Sequence, residues 1–200
     1  FAVNITFAFA GIVTLSISLV IGGVPIPVKI QAILLWIILF FSAMNGLSHV
    51  FTREEEQGTG LFLTLNSSVN SIFASKLIFN LAFFFAIEAV VTPLYIFFLQ
   101  VEIKIIYAFI LTIIAGGFAI SSATTILAAM VAKSGGKGSL FTVISFPILL
   151  PVLWVSTVTT ISSLEGRIES ITGNLVFLTS FCGLVMALSF ILFRFIWIEE

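Results

Sequence analysis

Six runs of mostly apolar residues, each roughly 20 residues or longer, divide this 200-residue chain. A helix needs about 20 such residues to cross the hydrocarbon core of a bilayer, where its backbone amides and carbonyls must be satisfied within the segment itself. The runs fall at about Phe1 to Ile21, Ile30 to Phe51, Leu77 to Leu99, Ile105 to Ala132, Ser139 to Val158 and Leu175 to Ile198. Between them lie Gly22-Gly23-Val24-Pro25-Ile26-Pro27, a short polar link from Gln100 to Lys104, and the basic glycine loop Lys133-Ser134-Gly135-Gly136-Lys137-Gly138. Glycine and proline stop helices at such points. The expected fold is all-α: a polytopic membrane protein with six transmembrane helices forming a single domain over residues 1–200. With 60% hydrophobic and 8% charged residues, the chain has too little polar surface for a soluble globule of its size.

Several function classes drop out. A net charge of −1 and the absence of a basic stretch interleaved with aromatics leave no surface for nucleic acid. Gly135-Gly136-Lys137-Gly138-Ser139 resembles a phosphate loop only superficially, because Val131 stands where the first glycine belongs and Gly138 where the Ser or Thr belongs. The chain therefore does not hydrolyse ATP itself. It contains no Asp, so no Ser-His-Asp set exists, and no catalytic residues are expected. His49 is the only histidine, Met44, Met130 and Met186 are scattered packing residues, and no metal cluster of familiar spacing is present. Cys182 is the single cysteine, so no internal disulfide forms. The chain opens on Phe1, already inside an apolar run, which suggests that an N-terminal piece precedes it.

Cytoplasmic flanks of membrane helices carry the excess of Lys and Arg. Alternating the spans puts Arg53, Lys76, Lys133, Lys137 and Arg194 on one side and Lys29, Lys104 and Arg167 on the other. Five against three predicts a cytoplasmic Thr52 to Lys76 segment and two cytoplasmic termini.

That segment is the longest polar interruption. Glu54, Glu55 and Glu56 extend the second span into water, and Gly58 suits the left-handed conformation in which helices end. Leu61, Phe62 and Leu65 then share one side of a short helix lying along the interface, which a soluble partner could grip. An ordinary interfacial loop anchored by its leucines fits the same residues.

Within the membrane, Glu88 is the one mid-span carboxylate. Ionising it there is costly, so it is expected to face the bundle interior and hold its proton. Pro93, five residues on, predicts a kink, and the two residues mark either a hinge or a polar point along a substrate route. Alternatively Glu88 donates one hydrogen bond to a neighbouring helix. Gly117, Ser121, Thr125 and Ala129 form a small-residue stripe for close helix approach. Pro147 and Pro151 predict a bent or broken fifth span. Ile161, Leu164, Ile168 and Ile171 predict a half-inserted outer helix within Thr159 to Asn174, with a solvated loop as the alternative.

Three features together resemble the CcmB family of cytochrome c biogenesis. They are the acidic-glycine run Glu54-Glu55-Glu56-Gln57-Gly58-Thr59 before leucines, the proline pair in Phe146-Pro147-Ile148-Leu149-Leu150-Pro151, and the six-span layout ending Phe193-Arg194-Phe195-Ile196-Trp197-Ile198-Glu199-Glu200. Gly60 departs from the Leu usual after the Gly-Thr, and Asn66-Ser67-Ser68 from a Ser-Pro turn.

The resemblance implies an ABC-2-type permease in a bacterial inner membrane, with an interfacial coupling helix between helices 2 and 3. That helix and its acidic flank, Glu54, Glu55, Glu56, Gly58, Thr59, Leu61, Phe62 and Leu65, would meet a CcmA-like ATPase. Further implied partners are a haem-handling CcmC-like protein and a small CcmD-like protein. ATP would act through the partner, and haem, or the haem-loaded chaperone CcmE, would be what is handled. Competing readings are an ABC-2 exporter of lipid, polysaccharide or drug, and a partnerless secondary transporter or channel.

Overall fold

The computed structural model describes residues 2–47, 67–133 and 138–198, and all of its regular structure is helical. The helices are α1 (Ala2–Ile21), α2 (Val28–Leu47), α3 (Val69–Leu99), α4 (Ile106–Lys133), α5 (Gly138–Glu165) and α6 (Ile171–Ile198). All six are long and apolar enough to cross a membrane.

Local chemistry sets their ends. Gly22 and Gly23 take left-handed conformations, φ 60° and 80°, that close α1, and Pro27 accepts the first amide bonds of α2. Ser68 caps α3, its hydroxyl accepting from the Ser71 amide at 3.2 Å. The helix therefore begins eight residues before the expected Leu77, and Ser68, at the end of a polar run, supplies its start. Gln100 closes α3 with φ 51°, and Gly166 closes α5 with φ 83°.

The expected outer helix in Thr159 to Asn174 is not there. Residues up to Glu165 belong to α5, a five-residue turn follows, and α6 begins at Ile171. The polar run Thr159-Thr160-Ile161-Ser162-Ser163 does not end the helix because its hydroxyls donate back to its own carbonyls: Thr159 to Val155, Ser162 to Val158 and Ser163 to Thr160, at 2.7, 3.1 and 2.7 Å. Leu164 and Ile171 are buried while Ile168 is exposed, so the three do not share one amphipathic face.

Nor is α5 broken at its prolines. It runs as one α-helix through Pro147 and Pro151, and α3 likewise through Pro93. All three prolines are exposed, so each lies on the face turned away from the bundle. Pro93 and Glu88 consequently point to different sides of α3.

The connections α1–α2, α3–α4 and α5–α6 meet at one end of the bundle, where the Ile105 amide donates to the Ser163 carbonyl at 2.9 Å. Lys29, Lys104 and Arg167 lie at this end; Lys76, Lys133 and Arg194 lie toward the other. Helix α4 is central, packing against α2, α3, α5 and α6, whereas α1 packs on α2 and α3. From Ala119 to Ala129 every side chain of α4 is buried. Large buried side chains fill the space around it, among them Trp36, Phe40, Phe84, Tyr95 and Phe141. Phe73 ties α3 to α6, its ring centroid 5.0 Å from those of both Phe190 and Phe193.

Candidate functional site

One face of α3 repeats every four residues as Asn80, Phe84, Glu88 and Thr92, and all four are buried. This spacing stacks side chains on one side of a helix. The small-residue stripe of α4 runs antiparallel past it. Asn80 Nδ2 donates to Thr125 Oγ1 at 2.8 Å. Two turns along, the Glu88 carboxyl meets Gly117, two turns back along α4. A Cβ on Gly117 would stand 2.6 and 2.7 Å from the two carboxyl oxygens, so only a residue without a side chain leaves the carboxyl its seat. The stripe is thus more than a packing surface: its first glycine receives an acid.

Glu88 faces the bundle interior, but it does not donate to a neighbouring helix. Among the described residues neither of its oxygens has a hydrogen-bond partner, and the same holds for Asn80 Oδ1, Thr92 Oγ1 and Ser121 Oγ along the seam. A buried polar atom without a partner costs about 1–3 kcal/mol, more for a charged group. Several such atoms lie along one helix contact, a pattern that recurs at functional and moving parts of proteins.

Beside Gly117 stands Gly116, whose missing side chain makes room for the Trp36 ring of α2 and brings Ser156 of α5 close. Trp36 Nε1 donates to Thr160 Oγ1 at 2.9 Å. Adjacent glycines on α4 therefore accept α2 and α5 on one side and α3 on the other, at the same depth. Sequence reasoning missed this second contact. Its signal was a tryptophan inside an apolar run together with a Gly-Gly pair in another, but Thr160 lies in the stretch expected to leave the fifth span for an outer helix.

At the end where the three connections meet, a cavity of about 440 Å³ opens between α1, α2, α3 and α5. Glu102, Lys104 and Glu165 form a charged lip, Gln31 and Gln100 add amides, and Val24, Ile26, Phe98 and Leu164 make apolar wall. The rim is stitched together. Ser18 Oγ donates to the Phe98 carbonyl at 3.1 Å, Lys104 Nζ reaches the Glu165 carbonyl at 3.4 Å, and Arg167 pairs with Glu165. Gln31, which lines the cavity, accepts at its carbonyl from the buried Tyr95 hydroxyl at 2.7 Å.

Of the residues singled out in the sequence, Glu54, Glu55, Glu56, Gly58, Thr59, Leu61, Phe62 and Leu65 lie outside the described residues, as does His49. Pro93, Pro147 and Pro151 are not brought into the seam. Among the described residues no group of three His, Cys, Asp or Glu could hold a metal ion.

No curated protein and no solved structure matches this sequence. The profile of the CcmB protein family matches residues 2–195, which is nearly all of it. A match of that extent, on a six-helix all-α bundle, settles the family: the chain belongs to the CcmB family, haem-exporter permease subunits of an ABC transporter of cytochrome c maturation.

Proposed function

We propose that the chain couples ATP hydrolysis in a separate cytoplasmic subunit to the release of haem-loaded chaperone, or of haem, on the opposite side of a bacterial inner membrane. Family membership over residues 2–195 is the observation that supports this reading. The division of the bundle into two unlike ends agrees with it. One end carries the α1–α2, α3–α4 and α5–α6 connections over a cavity of about 440 Å³. At the other, α2 ends and α3 begins, and the acidic segment joins them in sequence. In this reading the second end is cytoplasmic, both termini lie there, and Leu61, Phe62 and Leu65 dock a CcmA-like ATPase. A CcmC-like haem-handling protein and a CcmD-like small protein complete the complex, and the cavity end faces outward. The seam at Glu88 and Gly117 lies between the two ends, where a push on the α2–α3 segment must pass on its way across.

The test is purification of the chain from native membranes under mild conditions. An ATP-binding subunit and haem absorbance are expected to co-purify. Purification without an ATPase would overturn the transporter reading, and an ATPase without haem or maturation proteins would overturn the haem assignment.

A further inference from the structure

On the membrane-facing side, α4 and α6 leave a groove between them toward the cavity end. Two hollows of about 400 and 350 Å³ share Leu111, Leu175 and Thr179 and so form one continuous trough. It begins at Tyr107 and Thr172 and ends near Phe118 and Cys182, where Cys182 Sγ lies 3.7 Å from Ser122 Oγ and the two helices meet. From residue 107 to residue 118 a helix rises about 16 Å at 1.5 Å per residue. That is about half of the ~30 Å hydrocarbon core, the depth of one leaflet.

The wall is graded. At the outer end stands the exposed Tyr107 ring, suited to the headgroup level, and Ile168 of the lining is preceded in sequence by Arg167, exposed and paired with Glu165. Deeper in, Leu111, Ile114, Ala115, Phe118 and Leu175 are apolar. Thr179 presents no free donor, because its hydroxyl already donates to the Leu175 and Val176 carbonyls of its own helix at 3.0 and 3.1 Å.

We propose that this groove holds one acyl chain of a phospholipid from the adjoining leaflet, with the headgroup at the level of Tyr107 and Arg167. A crossing protein helix fits poorly. It would be about 10–12 Å wide along its whole length, whereas this trough stops halfway, at the Ser122–Cys182 contact. An acyl chain ends where the leaflet ends.

Native mass spectrometry of the protein, extracted in mild detergent with whatever subunits accompany it, tests the site after incorporation into nanodiscs of phosphatidylethanolamine and phosphatidylglycerol. The unaltered protein is expected to retain one phospholipid per copy through a delipidating wash. Ala115→Trp, which fills the groove, should lower the retained fraction at least tenfold, while Leu184→Trp, on the exposed face outside it, should not. Equal retention in both variants, or none in the unaltered protein, overturns the proposal. A second measurement reads the groove by fluorescence quenching. Bimane on Cys182 should be quenched by mid-chain doxyl phospholipid more than twofold more strongly than bimane on Leu184→Cys in a Cys182→Ser background. Equal quenching, or cross-linking of Cys182 to a second copy, overturns it as well.

Discussion

Replacing Gly117 by alanine adds one methyl group at the point where the bundle has left none. The new Cβ would stand 2.6 and 2.7 Å from the Glu88 oxygens and 2.9 Å from the carboxyl carbon, all well inside contact distance. Overpacking of this kind costs about 1–3 kcal/mol. The obstructing atoms are the far end of a flexible side chain, so Glu88 can yield by leaving its rotamer at about 0.5–1.5 kcal/mol. Alanine gains up to about 1 kcal/mol over glycine in helix propensity. The balance is a net loss of about 1 kcal/mol. At about 2–4 °C per kcal/mol for a chain of this size, melting should fall by roughly 3 °C. Thermal unfolding of the purified protein in detergent, followed by tryptophan fluorescence, measures it. The control is Gly183→Ala, where a Cβ meets nothing within 4 Å, and no loss is expected. The decisive variant is the double substitution. Glu88→Ala in the Gly117→Ala background removes the clash and should restore melting, with a coupling of about 1–2 kcal/mol between the sites. Glu88→Gln, which has the same shape, should not. If Gly117→Ala melts with the unaltered protein, or Glu88→Ala fails to rescue it, the seat described for the carboxyl is wrong.

Other substitutions probe the remaining parts. Glu88→Gln alone should leave the fold intact and lower cytochrome c maturation in cells; full maturation would reduce Glu88 to a packing residue. Trp36→Phe removes the indole donor to Thr160 and should cost about 1 kcal/mol, seen as a lower melting temperature with maturation retained. Leu61→Ser with Phe62→Ser should release the ATPase during purification while the chain stays in the membrane fraction, and an ATPase still bound would move the docking surface elsewhere.

The six spans and the inward turn of Glu88 were legible because hydrocarbon enforces them: long apolar runs have few alternatives to a helix, and a mid-span acid has few places to go. The ends of the helices were less so. Ser68 reads as loop until its hydroxyl is seen on the Ser71 amide, and Thr159 to Ser163 read as a break because polarity does not tell solvation from back-bonding to a helix's own carbonyls. Of the bend or break expected of the fifth span at its prolines, the break is absent. A missing amide predicts an interruption, yet at Pro93, Pro147 and Pro151 the ring sits on the outer face of an unbroken helix. The stripe at Gly117 was visible as spacing, but its partner could not be, because the pairing of Gly117 with Glu88 depends on the register of α3 against α4. Trp36 over Gly116 escaped for the same reason.

The neighbouring glycines of α4 behave like two keyways cut side by side in one shaft. Trp36 is the key from α2 and Glu88 the key from α3, and both enter at the same height. The shaft cannot turn without unseating both, and it cannot slide past one key while the other stays engaged. Whatever displaces the α2–α3 end of the bundle therefore shifts α2, α3 and α4 as a linked set, or first withdraws a key.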